Sequence, residues 1–163
     1  MMKKRLVLKS MALVLLGATL FSCGEDDNNN KVEDLTKGLA GTYSGIGSMG
    51  GVPMFPGTTV KLTVVDPSTL HWDMDLDLSP LPAEMGVTGA FKLKDFPLTV
   101  TKVGDVLKVN GSGSAIDPIT TPVAPITPHL TISGTIGATG IDVTITPDEF
   151  SALIITYQGT KEE

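Results

Sequence analysis

The chain has 163 residues, of which 12 are basic and 18 are acidic. Beyond residue 22 it carries eight lysines, no arginine and all of the acidic residues. This acidic excess excludes nucleic-acid binding, which depends on basic patches and arginine contacts, and it removes the arginine fork that enzymes use to clamp phosphate or carboxylate substrates.

The first 22 residues have the pattern of a secretory signal peptide. Four basic residues precede the apolar run Met11–Phe21, which is shorter than the ~20 residues of a membrane-spanning helix. The stretch Leu-Phe-Ser-Cys at residues 20–23 resembles a bacterial lipobox. That resemblance implies cleavage before Cys23 and attachment of lipid to its sulfur, and several acyl chains would anchor the protein firmly in a membrane. The alternative is an ordinary signal peptide with an incidental cysteine.

Residues 23–40 are interpreted as a lipid-anchored, disordered tether. The run Glu25–Asn30 contains only Glu, Asp and Asn, a composition that cannot bury an apolar core. Acidic residues after a lipidated cysteine also resemble the surface-export signal of one group of Gram-negative lipoproteins. The resemblance implies an outer-membrane protein that faces outward, and the alternative is a spacer that faces the periplasm.

Residues 41–163 are predicted to form one all-β domain. The clearest segment is Leu70–Leu78, in which apolar side chains, Trp72 among them, alternate with His71 and three aspartates. This period of two indicates a half-buried strand. Residues 87–94 repeat the alternation with Lys92 and Lys94 outward, and antiparallel pairing would place these lysines opposite the aspartates.

Two hairpins and a closing strand complete the predicted domain. Hairpins are predicted around Gly104-Asp105 and within residues 130–146, and a last strand within residues 151–160. Pairing of that last strand with the first, Gly41–Gly47, would close a barrel and remove an aggregation-prone edge. The expected fold is an antiparallel up-and-down β-barrel of eight to nine short strands. The proline-rich stretch Asp117–His129 is expected to cross one end of it.

The two ends of this region suggest a family. Gly-Thr-Tyr at residues 41–43 and Tyr-Gln-Gly-Thr-Lys at residues 157–161 resemble the lipocalin-like (calycin-like) domains of bacterial outer-membrane and surface lipoproteins of unknown function. The resemblance implies a small barrel with a central cavity. Lipocalins place a Gly-x-Trp in the first strand, packed against a late arginine, whereas this chain has Tyr43 and no arginine there.

Six residues are candidates for a ligand site in such a cavity. Met49, Met54 and Phe55 lie in or beside the segment 47–57, which is expected to form an apolar flap at the cavity mouth. An open pocket would be lined by Trp72, Phe91 and Tyr157. The alternative for the flap is that it folds permanently onto its own barrel.

Other chemical signals are weak. Gly45–Gly50 matches G-x-G-x-x-G, but Pro53 and Pro56 follow, so no helix can open there and no nucleotide cofactor is expected. The aspartates 73, 75 and 77 imitate the spacing of a calcium loop without its glycine, so no metal site is expected. Neither a G-x-S-x-G motif nor a third group that would orient a His–Ser pair is found. We therefore predict that the protein is not an enzyme.

Two functional hypotheses stay open. The first is a surface-anchored lipoprotein that binds a small apolar ligand in its barrel cavity. The second is a protein- or glycan-binding accessory module that acts through its outer face or its proline-rich loop. An open apolar cavity would favour the first hypothesis, and a barrel filled by its own side chains would favour the second.

Overall fold

The computed structural model describes residues 32–163, and its compact unit is Glu33–Glu163. The predicted signal peptide, Cys23 and the acidic run lie outside the described residues. Within that part of the chain the fold is all-β, as the alternating patterns predict. Eight strands form the fold: β1 Gly41–Met49, β2 Val52–Asp66, β3 Thr69–Asp77, β4 Ala90–Val103, β5 Val106–Ser114, β6 His129–Ile136, β7 Gly140–Pro147 and β8 Ile155–Lys161.

The strands pair antiparallel in chain order and close into a barrel through β1 and β8. Closure pairs Tyr43 with Lys161 and Met49 with Ile155, so the last strand has no open edge in the barrel. The prediction of a closed up-and-down antiparallel barrel is therefore confirmed.

The number of strands is eight because β4 is continuous. Its two halves are separated in sequence by Asp95 and Pro97, and Asp95 has a positive φ of 51°. The register with β3 shifts between Trp72 and Met74, which is the signature of a β-bulge. The bulge absorbs the irregular residues, and the strand continues to Val103.

The segment 47–57 is a hairpin and does not form a loop. β1 and β2 are joined by Gly50-Gly51 alone, and both glycines have positive φ, 58° and 80°. Two such residues allow the tight turn whose twist matches that of paired strands. The expected flap is therefore a hydrogen-bonded pair of strands, with Met49 paired to Val52.

The two ends of the barrel differ. One end, here called the short-turn end, has the tight β2–β3, β4–β5 and β6–β7 connections. The other, the long-loop end, has the Gly50-Gly51 turn and the connections of residues 78–89, 115–128 and 148–154. The proline-rich stretch crosses this end, where Ile119 is fully buried and pairs with Ile126.

Residues 33–40, which the sequence analysis assigns to the disordered tether, pack on the short-turn end. The Leu35 N–H donates to the Pro67 carbonyl at 2.8 Å, and Leu39 is 1% exposed. The Lys161 ammonium donates to the Gly38 carbonyl at 2.8 Å. Apolar burial and hydrogen bonds at both ends of the segment hold it to the barrel, which composition alone does not reveal.

Candidate functional site

The interior of the barrel is filled by its own side chains. Trp72 and Phe91 are 0% exposed and Tyr157 is 1% exposed. The edge of one ring in the Trp72–Tyr157 pair faces the other ring, with centroids 6.2 Å apart and planes at 75°, a favourable aromatic arrangement. Phe91 lies opposite Leu76, nearer the long-loop end. The structure thus places all three predicted lining residues inside the barrel and covers them with neighbouring side chains.

The predicted flap residues also pack inward. Phe55 is 3% exposed, and Met49 and Met54 are half-buried against the same core. An added Cβ at Gly47 would lie 3.0 Å from the Phe55 ring, which shows how closely β1 and β2 approach there. These three residues close the long-loop end of the core as parts of strands.

Two tyrosines tie the barrel wall together through their hydroxyls. Tyr157 donates to the Tyr43 carbonyl at 2.8 Å, and Tyr43 donates to the Leu39 carbonyl at 2.9 Å. Burial, with a smaller contribution from Glu162, raises the pKa of Tyr157 to about 12. Burial also raises the pKa of Tyr43. Both phenols are therefore neutral structural donors at ordinary pH.

One buried donor lacks a partner. Trp72 Nε1 has no hydrogen-bond acceptor among the described residues, although an unpaired buried donor costs roughly 1–3 kcal/mol. Tyr157 packs against the Trp72 ring, but its hydroxyl donates to the Tyr43 carbonyl. The strand pattern predicts that Trp72 points inward, but it contains no signal for the missing acceptor.

The outer face carries a row of charges at the β3–β4 pair. Asp75 lies opposite Lys92, and Lys94 forms an ion pair with Asp73. Partial burial by itself would raise the pKa of Asp73, but the Lys94 contact and the Asp95 N–H, which donates to Asp73 at 2.7 Å, outweigh it and lower the pKa. The predicted pairing across β3 and β4 thus gives one ion pair, Asp73–Lys94, whereas Lys92 pairs with Asp117 at 3.0 Å and Asp77 accepts from Ser79. Within residues 32–163 no group of three His, Cys, Asp or Glu side chains is arranged to hold a metal ion.

A concave area, here called the outer groove, crosses the outer face from β1 through β8, β7 and β6 to β5. It encloses about 780 Å³ and is lined by Ser44, Ile46, Thr135, Asp142, Gln158 and Thr160, together with several glycines and the β4–β5 and β6–β7 turns. Ile46 is 45% exposed there. The Gln158 amide donates to Asp142 at 2.9 Å, so neighbouring strands share a polar contact in the groove.

Glycine at position 45 lets two of the strands that line the groove approach each other closely. Gly45 pairs with Gly159 across the β1–β8 seam, and an added Cβ at Gly45 would lie 2.0 Å from the Gln158 carbonyl oxygen. Real Cβ atoms do not approach backbone so closely, so only glycine fits at that position. Sequence reasoning missed the groove, because its residues are scattered over five strands and follow no motif.

Comparison with known proteins adds little. No protein-family model matches the chain, and no curated protein matches it. Among solved structures, the crystal structure of a protein from Bacteroides fragilis NCTC 9343, described as a "putative outer membrane protein", is similar over 80% of this chain with 19% identity and a TM-score of 0.47. The similarity covers 53% of that protein, so this chain spans about half of its length. Over residues 32–163, no helix has both the length and the apolar character needed to cross a membrane.

Proposed function

We propose that this protein is a lipoprotein of the outer membrane, anchored by lipid on Cys23, whose lipocalin-like barrel binds a protein or glycan through its outer surface. The observation that carries the proposal is the filled interior. Trp72, Phe91 and Tyr157 have at most 1% of their surface exposed, so binding inside would require the core to be repacked. A close-packed core resists such a change.

The outer groove is the favoured binding surface. It combines an exposed apolar side chain, Ile46, with the hydroxyl and amide groups of Ser44, Thr160 and Gln158. The groove also contains the exposed Val106 and the carboxylate of Asp142. Such a mixture of apolar contacts and hydrogen-bonding groups suits a polar partner such as a glycan or a protein loop. The exposed tip of the proline-rich loop, where Val123 is 95% exposed, is the second candidate surface.

The location and the non-catalytic role are parts of the same proposal. The signal-like start, Cys23 and the acidic run support an anchored protein at the cell surface, with the periplasmic face as the alternative. The eight-stranded barrel with an N-terminal segment packed on one end supports the lipocalin-like assignment. The proposed activity is binding, with no cofactor.

A small ligand inside the barrel is the second candidate function. The observation in its favour is Trp72 Nε1, a buried donor that a ligand oxygen would satisfy. The barrel would have to open at its long-loop end, past Met54 and Phe55, to admit such a molecule.

Site-specific photo-crosslinking tests the outer-surface proposal. A photoreactive amino acid is placed at Ile46 in the groove, and at Val64, an apolar residue of similar exposure outside it, as the matched control. Irradiation of intact cells should give a discrete adduct from position 46 and none from position 64. Equal patterns from both positions would contradict binding in the groove.

Tryptophan fluorescence separates the two candidates. Trp72 is the only tryptophan, and its burial predicts blue-shifted emission that amphipathic and apolar compounds leave unchanged. A saturable change in emission that is retained in Ile46→Lys would instead favour an internal ligand.

A further inference from the structure

Three polar side chains, from β5, from β6 and from the residue after β7, meet on the outer face at the long-loop end. Ser112 Oγ of β5 lies 3.4 Å from Nε2 of His129, the first residue of β6. The other imidazole nitrogen, Nδ1, lies 2.7 Å from Oδ2 of Asp148, which directly follows β7. The sequence shows no third group for a His–Ser pair, whereas the fold supplies Asp148.

Hydrogen bonds to residues 148 and 149 fix the position of the His129 backbone beside Asp148. The Asp148 N–H donates to the His129 carbonyl at 2.9 Å, and the His129 N–H lies 3.2 Å from both carboxylate oxygens of Glu149. Because a carboxylate only accepts hydrogen bonds, Nδ1 of a neutral His129 carries the proton. Nε2 then presents its lone pair to Ser112.

We propose that Ser112 is a nucleophile that becomes covalently acylated by activated esters, with His129 as its general base and Asp148 as the positioning residue. Ser112 Oγ attacks the acyl carbon and forms a new C–O bond, while its proton passes to His129 Nε2. The bond to the leaving group breaks, and the proton on Nε2 passes to the departing alkoxide. The products are an acyl-serine and a free alcohol, so no oxidant or metal is required.

The site is open to water, and this determines what it can do. The side chains of His129 and Asp148 are 42% and 53% exposed, and Ser112 is exposed as well. Open side chains lack the water-excluded surroundings in which fixed dipoles stabilise an oxyanion most strongly. We therefore expect reaction with good leaving groups and accumulation of the acyl-serine, a modification of the protein that is independent of the proposed binding function. The Ser112–His129 distance exceeds ordinary catalytic hydrogen-bonding distance and must shorten when the ester is bound.

Acylation with p-nitrophenyl acetate tests the proposal on the full chain, purified in detergent. We expect release of one equivalent of p-nitrophenol per protein and one acetyl group on the peptide that contains Ser112. Ser112→Ala should abolish this modification. Ser133→Ala, which removes an exposed serine from the neighbouring strand β6, should leave it unchanged.

The roles of the other two residues have separate measurements. His129→Gln should slow acylation at least tenfold, since a positioned base contributes roughly 10²- to 10⁴-fold. Asp148→Asn should slow acylation and also shift the imidazole proton away from Nδ1, which ¹⁵N NMR of the ring reports even if the fold is unchanged. Acetylation of Ser112→Ala at the wild-type rate, a label spread over many serines, or a His129→Gln protein as reactive as the wild type would each overturn the proposal.

Discussion

At the residue scale, the closest backbone approaches decide which side chains the barrel accepts. Gly45 lies where β1 meets β8, and a Cβ there would meet Gln158 O at 2.0 Å and Gly159 Cα at 2.5 Å. Both atoms belong to backbone, so neither can swing aside as the end of a long side chain can. The close pairing of β1 with β8 therefore requires a residue without a Cβ at position 45.

We predict that Gly45→Ala lowers the free energy of unfolding by about 2–3 kcal/mol, because the strands must separate to admit the methyl group. Urea denaturation measures the change. Gly137→Ala is the matched control, since its Cβ would lie 3.9 Å from the nearest backbone oxygen. Equal stability of the two variants would contradict the close approach at the seam.

Tyr157 gives the domain a predicted alkaline limit. Burial raises the pKa of Tyr157 to about 12, well above the ordinary value of a tyrosine, so the unfolded chain loses this proton first. The stabilisation that the folded state gains from keeping Tyr157 protonated is complete below pH 10 and is lost as the pH rises to 12. There the free energy of unfolding should fall by at most roughly 1.4 kcal/mol per pH unit.

Chemical denaturation at a series of pH values measures this slope. Tyr157→Phe serves as the comparison, because it keeps the ring and removes the ionisable group. A smaller slope in the variant is expected, with the remainder from Tyr43, whose pKa is also raised by burial. Identical slopes in both proteins would show that Tyr157 is not the group responsible.

At the element scale, the segment 33–40 belongs to the barrel. Thr36 is fully buried, and its hydroxyl lies within hydrogen-bonding distance of the Asp34 carboxylate at 2.8 Å and the Asp66 carbonyl at 3.1 Å. Glu33 forms an ion pair with Lys102 on β4. These contacts reach the ends of β2 and β4, so the segment covers the short-turn end of the core. Any free tether therefore ends before residue 33.

We predict that Leu39→Ala destabilises the domain by about 2–4 kcal/mol, because a fully buried leucine loses its apolar contacts and leaves a cavity. Thermal or urea unfolding measures the loss. Lys37→Ala is the control, since Lys37 is an exposed residue of the same segment. A neutral Leu39→Ala variant would mean that the segment is a tether after all.

At the scale of the whole molecule, the N-terminal segment and the Ser112 cluster lie at opposite ends of the barrel. The N-terminal segment meets the barrel at the short-turn end, where the β4–β5 and β6–β7 turns also line part of the outer groove. The Ser112 cluster lies at the long-loop end. About ten residues separate Cys23 from Glu33, which span at most roughly 35 Å when fully extended. A lipid-anchored barrel would thus stay near the membrane and keep its long-loop end free.

We predict that Cys23→Ala abolishes incorporation of a radiolabelled fatty acid and releases the protein from membranes. Ser22→Ala, which keeps a small residue before the cysteine, should retain both the label and the membrane association. Neutralising Glu25, Asp26 and Asp27 together should lower the accessibility of the protein to external protease on intact cells. Labelled Cys23→Ala protein would rule out the anchor, and unchanged accessibility would leave the acidic run as a spacer.

The sequence by itself determined the class of fold and the direction of its strands. The alternation around Trp72 put that side chain inside, and the charges of Lys92 and Lys94 indicated their antiparallel neighbours. Such patterns are local, because the side chains of a strand alternate between two faces. Only the tertiary structure decided that the interior is filled, that β1 and β8 approach closely at Gly45, and that Ser112, His129 and Asp148 meet. Packing density and contacts between distant strands depend on how the sheet coils and closes. The alternation of side chains along a strand contains no information about that closure.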